Sequence, residues 1–182
     1  MMCINKKKRY LWLIAVIAWM ALIFAFSHQK AEQSEIVSGS LTYQIAEGMS
    51  EIFALNWEEK ALIEHAEKWQ HPVRKAAHMT EYAILACLLL ANMMQYPKPR
   101  NKAHLWAWAG ATAYAATDEV HQLFIEGRSG ELKDVCIDST GAVIGILAAW
   151  GLTVIWKKLV TRPQDTQGQV SDNLSRTSNP PQ

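Results

Sequence analysis

Four apolar runs, separated by segments that alternate between basic and acidic, constrain this chain more than any other feature. They lie near residues 10–26, 76–95, 103–124 and 135–156. At about 1.5 Å of helix per residue, runs of this length just match a hydrocarbon core roughly 30 Å thick. Segments 1–9, 96–103 and 157–162 hold ten Lys and Arg and no acid, whereas segments 28–81 and 118–138 hold seven basic residues and fifteen acids. Basic loops stay on the cytoplasmic side. The pattern therefore predicts an all-α integral membrane protein with four transmembrane helices, both termini in the cytoplasm and the acidic segments outside.

Composition hides this arrangement. Half of the 182 residues are hydrophobic and eight are Trp, yet polar loops and a polar tail bring the mean hydropathy close to zero. The length suits one membrane domain, 1–162. Beyond it, 163–182 is rich in Gln, Ser, Asn and Pro and reads as a disordered cytoplasmic tail. Cys3, Cys87 and Cys136 form no regularly spaced set, which supports neither a disulfide framework nor a zinc ribbon. The first run follows Lys6–Arg9 and ends at Ala25-Phe26-Ser27. That ending leaves a cleaved signal peptide as the rival to a retained helix, although the run is longer than the ~7–15 residues usual in such peptides.

Between the first two runs, residues 28–74 are polar with apolar positions at helical spacing, so amphipathic helices are expected in the first outer loop. Asn56 and Glu59 read as a capping box. Trp57, Ala61, Leu62, Ala66 and Trp69 fall on one face, and Pro72 is expected to end that helix. Such a helix suits the membrane interface; a soluble cap over the helix ends is the alternative.

The chemistry concentrates from Asp118 to Gly145. Asp118, Glu119 and Gln122 close the third run, Asp134 and Asp138 open the fourth, and the loop between them carries Gly127, Arg128 and Gly130. Ionisable groups at such positions mark functional sites by default. Lys75, His78 and Tyr82 share a face of the second run, with Glu81 beside it. Gly110, Tyr114, Asp118 and Gln122 make a row at spacing four on the third run. On the fourth, Asp134 and Asp138 stand in line with Gly141-x-x-x-Gly145, a pattern that lets helix backbones approach closely. Each residue also has a structural reading. Lys75, Arg128 and Lys133 can pair with Asp118, Glu119 and Asp134 to hold helix ends, His78 can be an interior donor, and Tyr82 and Trp106 can be interface anchors. As a group they exceed what anchoring needs and imply one polar pocket.

Arg74-Lys-x-x-His78-x-x-Glu-Tyr82, Asp118-Glu-x-His-Gln122, Gly127-Arg128 and Asp134-x-x-x-Asp138-x-x-Gly141 resemble the VanZ-like family of small bacterial membrane proteins. The resemblance covers roughly 10–157, with Lys75, His78, Tyr82, Asp118, Glu119, Gln122, Arg128, Asp134 and Asp138 at motif positions. It implies a multi-pass protein of the bacterial plasma membrane with an influence on tolerance to teicoplanin-type glycopeptides, through an activity not established for the family. Two positions depart from many relatives, which carry Pro where Glu126 stands and Asn where Asp138 stands.

Two functional classes compete. In the first, the pocket binds or shields a phosphate-bearing envelope lipid such as a cell-wall precursor, using Arg128 and Lys75; the planar guanidinium fork suits phosphate oxygens. A loop made permissive by Gly127 and Gly130 would present Arg128, with Asp134 and Asp138 orienting it. In the second, an intramembrane enzyme acts on such a lipid with His78 as general base and Asp118, Glu119 and Asp138 supplying a proton or holding a divalent cation. The chain has no HExxH, GxSxG or DxD motif, and no cofactor is identified. A transporter is disfavoured, since four helices without an internal repeat offer little for alternating access. Membrane lipids are the expected partners, nucleic acid is not, and the oligomeric state is left open.

Overall fold

The computed structural model describes residues 6–96 and 102–160. The described residues contain five helices and no strand: α1 (Lys6–Ser27), α2 (Ala31–Ile52), α3 (Glu59–Met93), α4 (Ala103–Gln122) and α5 (Leu132–Val160). The expected tail, 163–182, lies outside the described residues, as does Cys3. Contacts divide the chain into Met1–Leu147 and Ala148–Gln182. In the second unit, the end of α5 exposes Trp150, Ile155 and Trp156. The functional geometry lies wholly within the first.

Helices α1, α3 and α5 are long and apolar enough to cross a membrane, so the chain is a membrane protein. Only Val16, Ile23 and Ser27 of α1 are buried, while its Leu11, Ile14 and Ile17 point outward. That outward apolar surface is what a lipid-facing helix presents. Composition does not qualify α4, which carries Asp118, Glu119 and many alanines in its 20 residues. Three of the four expected crossings therefore qualify by length and composition, and α4 does not.

Side-chain bonds fix the helix directions. Asn92 Nδ2 donates to Arg9 O at 3.4 Å and Trp19 Nε1 to Glu81 O at 2.9 Å, so α1 and α3 run antiparallel. Tyr114 OH donates to Met20 O at 2.7 Å, and Ser27 Oγ reaches Asp118, so α4 runs parallel to α1. Helix α5 lies along α3 through its glycines. A Cβ on Gly141 would overlap the Met79 backbone, and one on Gly145 the Ala83 backbone. The small-residue pattern is thus a close helix contact. Trp108 Nε1 and Thr112 Oγ1 each lie 3.0 Å from Ser139 Oγ, joining α4 to α5.

Two expectations for the first outer loop are corrected. No capping box forms. Asn56 sits at φ 49°, its side chain donates to Ala54 O, and Trp57 N–H is taken by Ser50 Oγ at 3.0 Å; α3 begins after Glu58. Nor does Pro72 end the helix, since α3 runs unbroken from Glu59 to Met93. An interior proline opposes a helix by about 3 kcal/mol, and packing on α2 opposes that penalty. Gln70 Nε2 bonds Glu35 O at 2.7 Å and Ser38 Oγ at 3.1 Å, with Ala66 buried one turn earlier. The amphipathic region is accordingly α2 plus the first half of α3. Trp57 does stack on His65 and approaches Trp69, with centroids 4.1 and 6.2 Å away.

Candidate functional site

Helix α4 explains how acids arrive inside the bundle. Ala103, Ala107, Ala111 and Ala115 repeat every fourth residue and are all buried. The same face continues into Asp118, Glu119 and Gln122, which are buried as well. The row expected through Gly110 and Tyr114 is displaced by one position, since Gly110 is exposed and Ala111 and Ala115 occupy the seam. Small residues let α4 approach its neighbours, and its C-terminal turn carries carboxylates into the interior.

Those carboxylates are largely engaged. Ser27 Oγ, fully buried, donates to Asp118 Oδ2 at 2.7 Å, and Gln122 Nε2 donates to the same oxygen at 3.1 Å. Glu119 Oε2 accepts the Glu131 N–H at 2.9 Å, and Glu119 Oε1 lies 3.4 Å from Gln122 Nε2. His78 Nδ1 lies 3.4 Å from Glu81 Oε2. Lys75 is ion-paired with Asp134, which ties α3 to the first turn of α5. Asp134 therefore does not position Arg128, and Lys75 is not a free anion donor. Asp118 Oδ1, Tyr82 OH, Glu81 Oε2 and His121 Nδ1 are buried without a hydrogen-bond partner, so His78 approaches Glu81 without a hydrogen bond.

The loop carrying Arg128 is built rather than loose. Gly127 takes φ 78°, a conformation that favours glycine, and Arg128 N–H closes a turn on Ile125 O at 3.1 Å. Upstream, Glu126 Oε2 meets Lys30 Nζ at 2.6 Å and Glu126 O accepts from Ala31 N–H at 3.4 Å. Downstream, the Glu131 N–H is held by Glu119. Both ends of the loop are thus bonded to neighbouring segments.

A cavity of about 320 Å³ opens between α2, α3, the end of α4, this loop and α5. Seven of the nine residues expected in the pocket line it: Lys75, His78, Glu119, Gln122, Arg128, Asp134 and Asp138. Tyr82 and Asp118 do not; they lie in the adjoining packed interior. Sequence reasoning missed Ser27, whose hydrogen bond to Asp118 spans 91 residues of chain, and left Arg74 out of the pocket. Arg74 was legible in the Arg74-Lys75 pair that opens the first motif; Ser27 was not. Arg74 and Arg128 both line the cavity, and among the described residues neither forms a hydrogen bond or ion pair through its side chain. Burial, with Arg74 close by, holds the Arg128 guanidinium below its ordinary value, and it remains charged.

The family model for VanZ/LLP1 matches residues 12–176. The chain belongs to the VanZ/LLP1 family. Membership brings an association with glycopeptide resistance, as the motifs around Lys75, Asp118, Arg128 and Asp138 imply. No curated protein and no solved structure matches the chain. Among the described residues no group of three or more His, Cys, Asp or Glu side chains is arranged to hold a metal ion.

Proposed function

We propose that this VanZ/LLP1 protein spans the bacterial plasma membrane four times, with both termini cytoplasmic, and binds a phosphate-bearing envelope lipid in its outward cavity. The domain is 1–162, with 163–182 as a cytoplasmic tail. Charge asymmetry supports the orientation, and the small-residue seam supports α4 as the fourth crossing, because a helix enclosed by others needs little hydropathy of its own. Shielding or sequestering such a lipid is how the protein would influence tolerance to teicoplanin-type antibiotics.

One observation carries the binding reading: Arg74 and Arg128 face one cavity with no carboxylate bonded to either, while Lys75 is neutralised by Asp134. Unpaired, half-buried guanidiniums are unfavourable alone and favourable with an anion, and a phosphate can be gripped by two planar forks. The enzymatic alternative needs His78, Asp118 and Glu119 to act together. Asp118 stands off the cavity lining, Glu119 is held by Gln122 and the Glu131 backbone, and His78 lies beside Glu81. Binding is therefore the better use of these groups.

The test compares membrane abundance with glycopeptide tolerance for Arg128→Lys and Arg128→Ala. Normal abundance with reduced tolerance in both variants is expected, since Lys keeps the charge and loses the fork. Lost abundance would make Arg128 a structural clamp, and full tolerance with Ala would remove it from the site. Tolerance unaffected by metal depletion is expected as well.

A further inference from the structure

The cavity also holds an acid without a hydrogen-bond donor. Asp138 is 3% exposed, lines the cavity, and has no hydrogen bond or ion pair among the described residues. Of the donors that line the cavity, Lys75 is paired with Asp134 and Gln122 bonds Asp118, and His78, which approaches Glu81 through Nδ1, makes no bond to Asp138. Arg74 and Arg128 line the same space without bonding it. A buried carboxylate left without a donor is strongly unfavourable. The packing nonetheless holds it there, because Asp138 stands one helical turn above Gly141, where α5 is locked against the Met79 backbone.

These charges discriminate among ligands. A purely anionic headgroup would satisfy the two arginines and meet Asp138 as a like charge. A simple cation would satisfy Asp138 and meet two guanidiniums. A group carrying both signs meets Arg74, Arg128 and Asp138 together. Resting on the phosphate-binding reading above, we infer that the cavity selects a zwitterionic aminoalkyl phosphate, with the phosphate on Arg74 and Arg128 and the ammonium on Asp138. The cavity, about 320 Å³, falls at the lower end of the range for small-molecule sites, which suits a headgroup.

The experiment uses the full chain reconstituted in nanodiscs of equal phosphatidylethanolamine and phosphatidylglycerol, with retained lipid read by native mass spectrometry. The ethanolamine lipid should be retained about tenfold over the glycerol lipid, the scale of one charge-assisted hydrogen bond. Asp138→Asn should bring that ratio to unity while phospholipid is still retained, and Arg74→Gln or Arg128→Gln should lose both lipids. Equal retention by the unmutated protein, or a tenfold preference surviving in folded Asp138→Asn, overturns the zwitterion inference and leaves phosphate binding standing. Retention of neither lipid, or retention indifferent to both arginine substitutions, overturns phosphate binding itself. Should Asp138→Asn fail to fold, competition on the unmutated protein decides. Displacement of lipid by soluble O-phosphoethanolamine but not by inorganic phosphate supports the inference, and equal displacement overturns it.

Discussion

Helices α1 and α4 run parallel and are joined by Tyr114 to Met20 and Ser27 to Asp118, yet they solve opposite problems. Helix α1 buries three of its 22 residues and turns large apolar side chains outward. Helix α4 buries seven of its 20, and every one of those is Ala, Asp, Glu or Gln. Hydropathy detects the first kind of helix because lipid selects the residues it touches. It undervalues the second kind, whose environment is other helices: small residues give close backbone approach, and buried acids are tolerated where partners reach them. The site depends on the second kind.

The comparison breaks most completely if α4 does not cross the membrane. In a cysteine-free background, an impermeant thiol reagent applied to intact cells should label Glu64→Cys and Ser129→Cys and spare Asn101→Cys, an all-or-none contrast. Labelling at Asn101, which lies outside the described residues, would place both ends of α4 on one side. Next in size is packing. Ala111→Leu drives three extra carbons into a fully buried seam and should destabilise by about 1–3 kcal/mol, seen as a lower melting temperature in detergent. On α1, Ile14→Ala, at a position 63% exposed, should stay within about 0.5 kcal/mol. Equal effects at the two sites would dissolve the distinction.

Ser27→Ala sharpens it from the other side. Removing the donor leaves a buried carboxylate oxygen with Gln122 alone, which should destabilise by about 1–3 kcal/mol. An N-terminal mass that retains residues 10–27 is expected alongside, because Ser27 is the junction where a signal peptidase would cut. The smallest effect belongs to the exposed Lys30–Glu126 pair. Lys30 holds the Glu126 carboxyl below its ordinary value, so its contribution is present above the unfolded-state value and fades as pH falls through the lower folded one. Glu126→Gln should leave stability at neutral pH unchanged within error, since exposed pairs are screened. A clear drop in melting temperature would mean that this pair, and not the Glu119–Glu131 bond, fixes the loop.

The sequence alone determined that this is an all-helical membrane protein of the VanZ/LLP1 family, and it located the residues that converge around Lys75, Arg128 and Asp138. Run length, charge sign and motif spacing are properties along the chain, and each survives whatever the helices do in space. Tertiary structure decided the pairing. Asp134 took Lys75 and left Arg128 free, Ser27 found Asp118 across 91 residues, and α3 passed through Pro72 because α2 packs along it. Several cations and carboxylates of comparable reach competed for partners, and the outcome turned on helix rotation and approach, set by Gly141 and Gly145 against α3 and by the alanine seam of α4. Which charges were left unpaired in the cavity, and so which ligand it can hold, is a consequence of that packing.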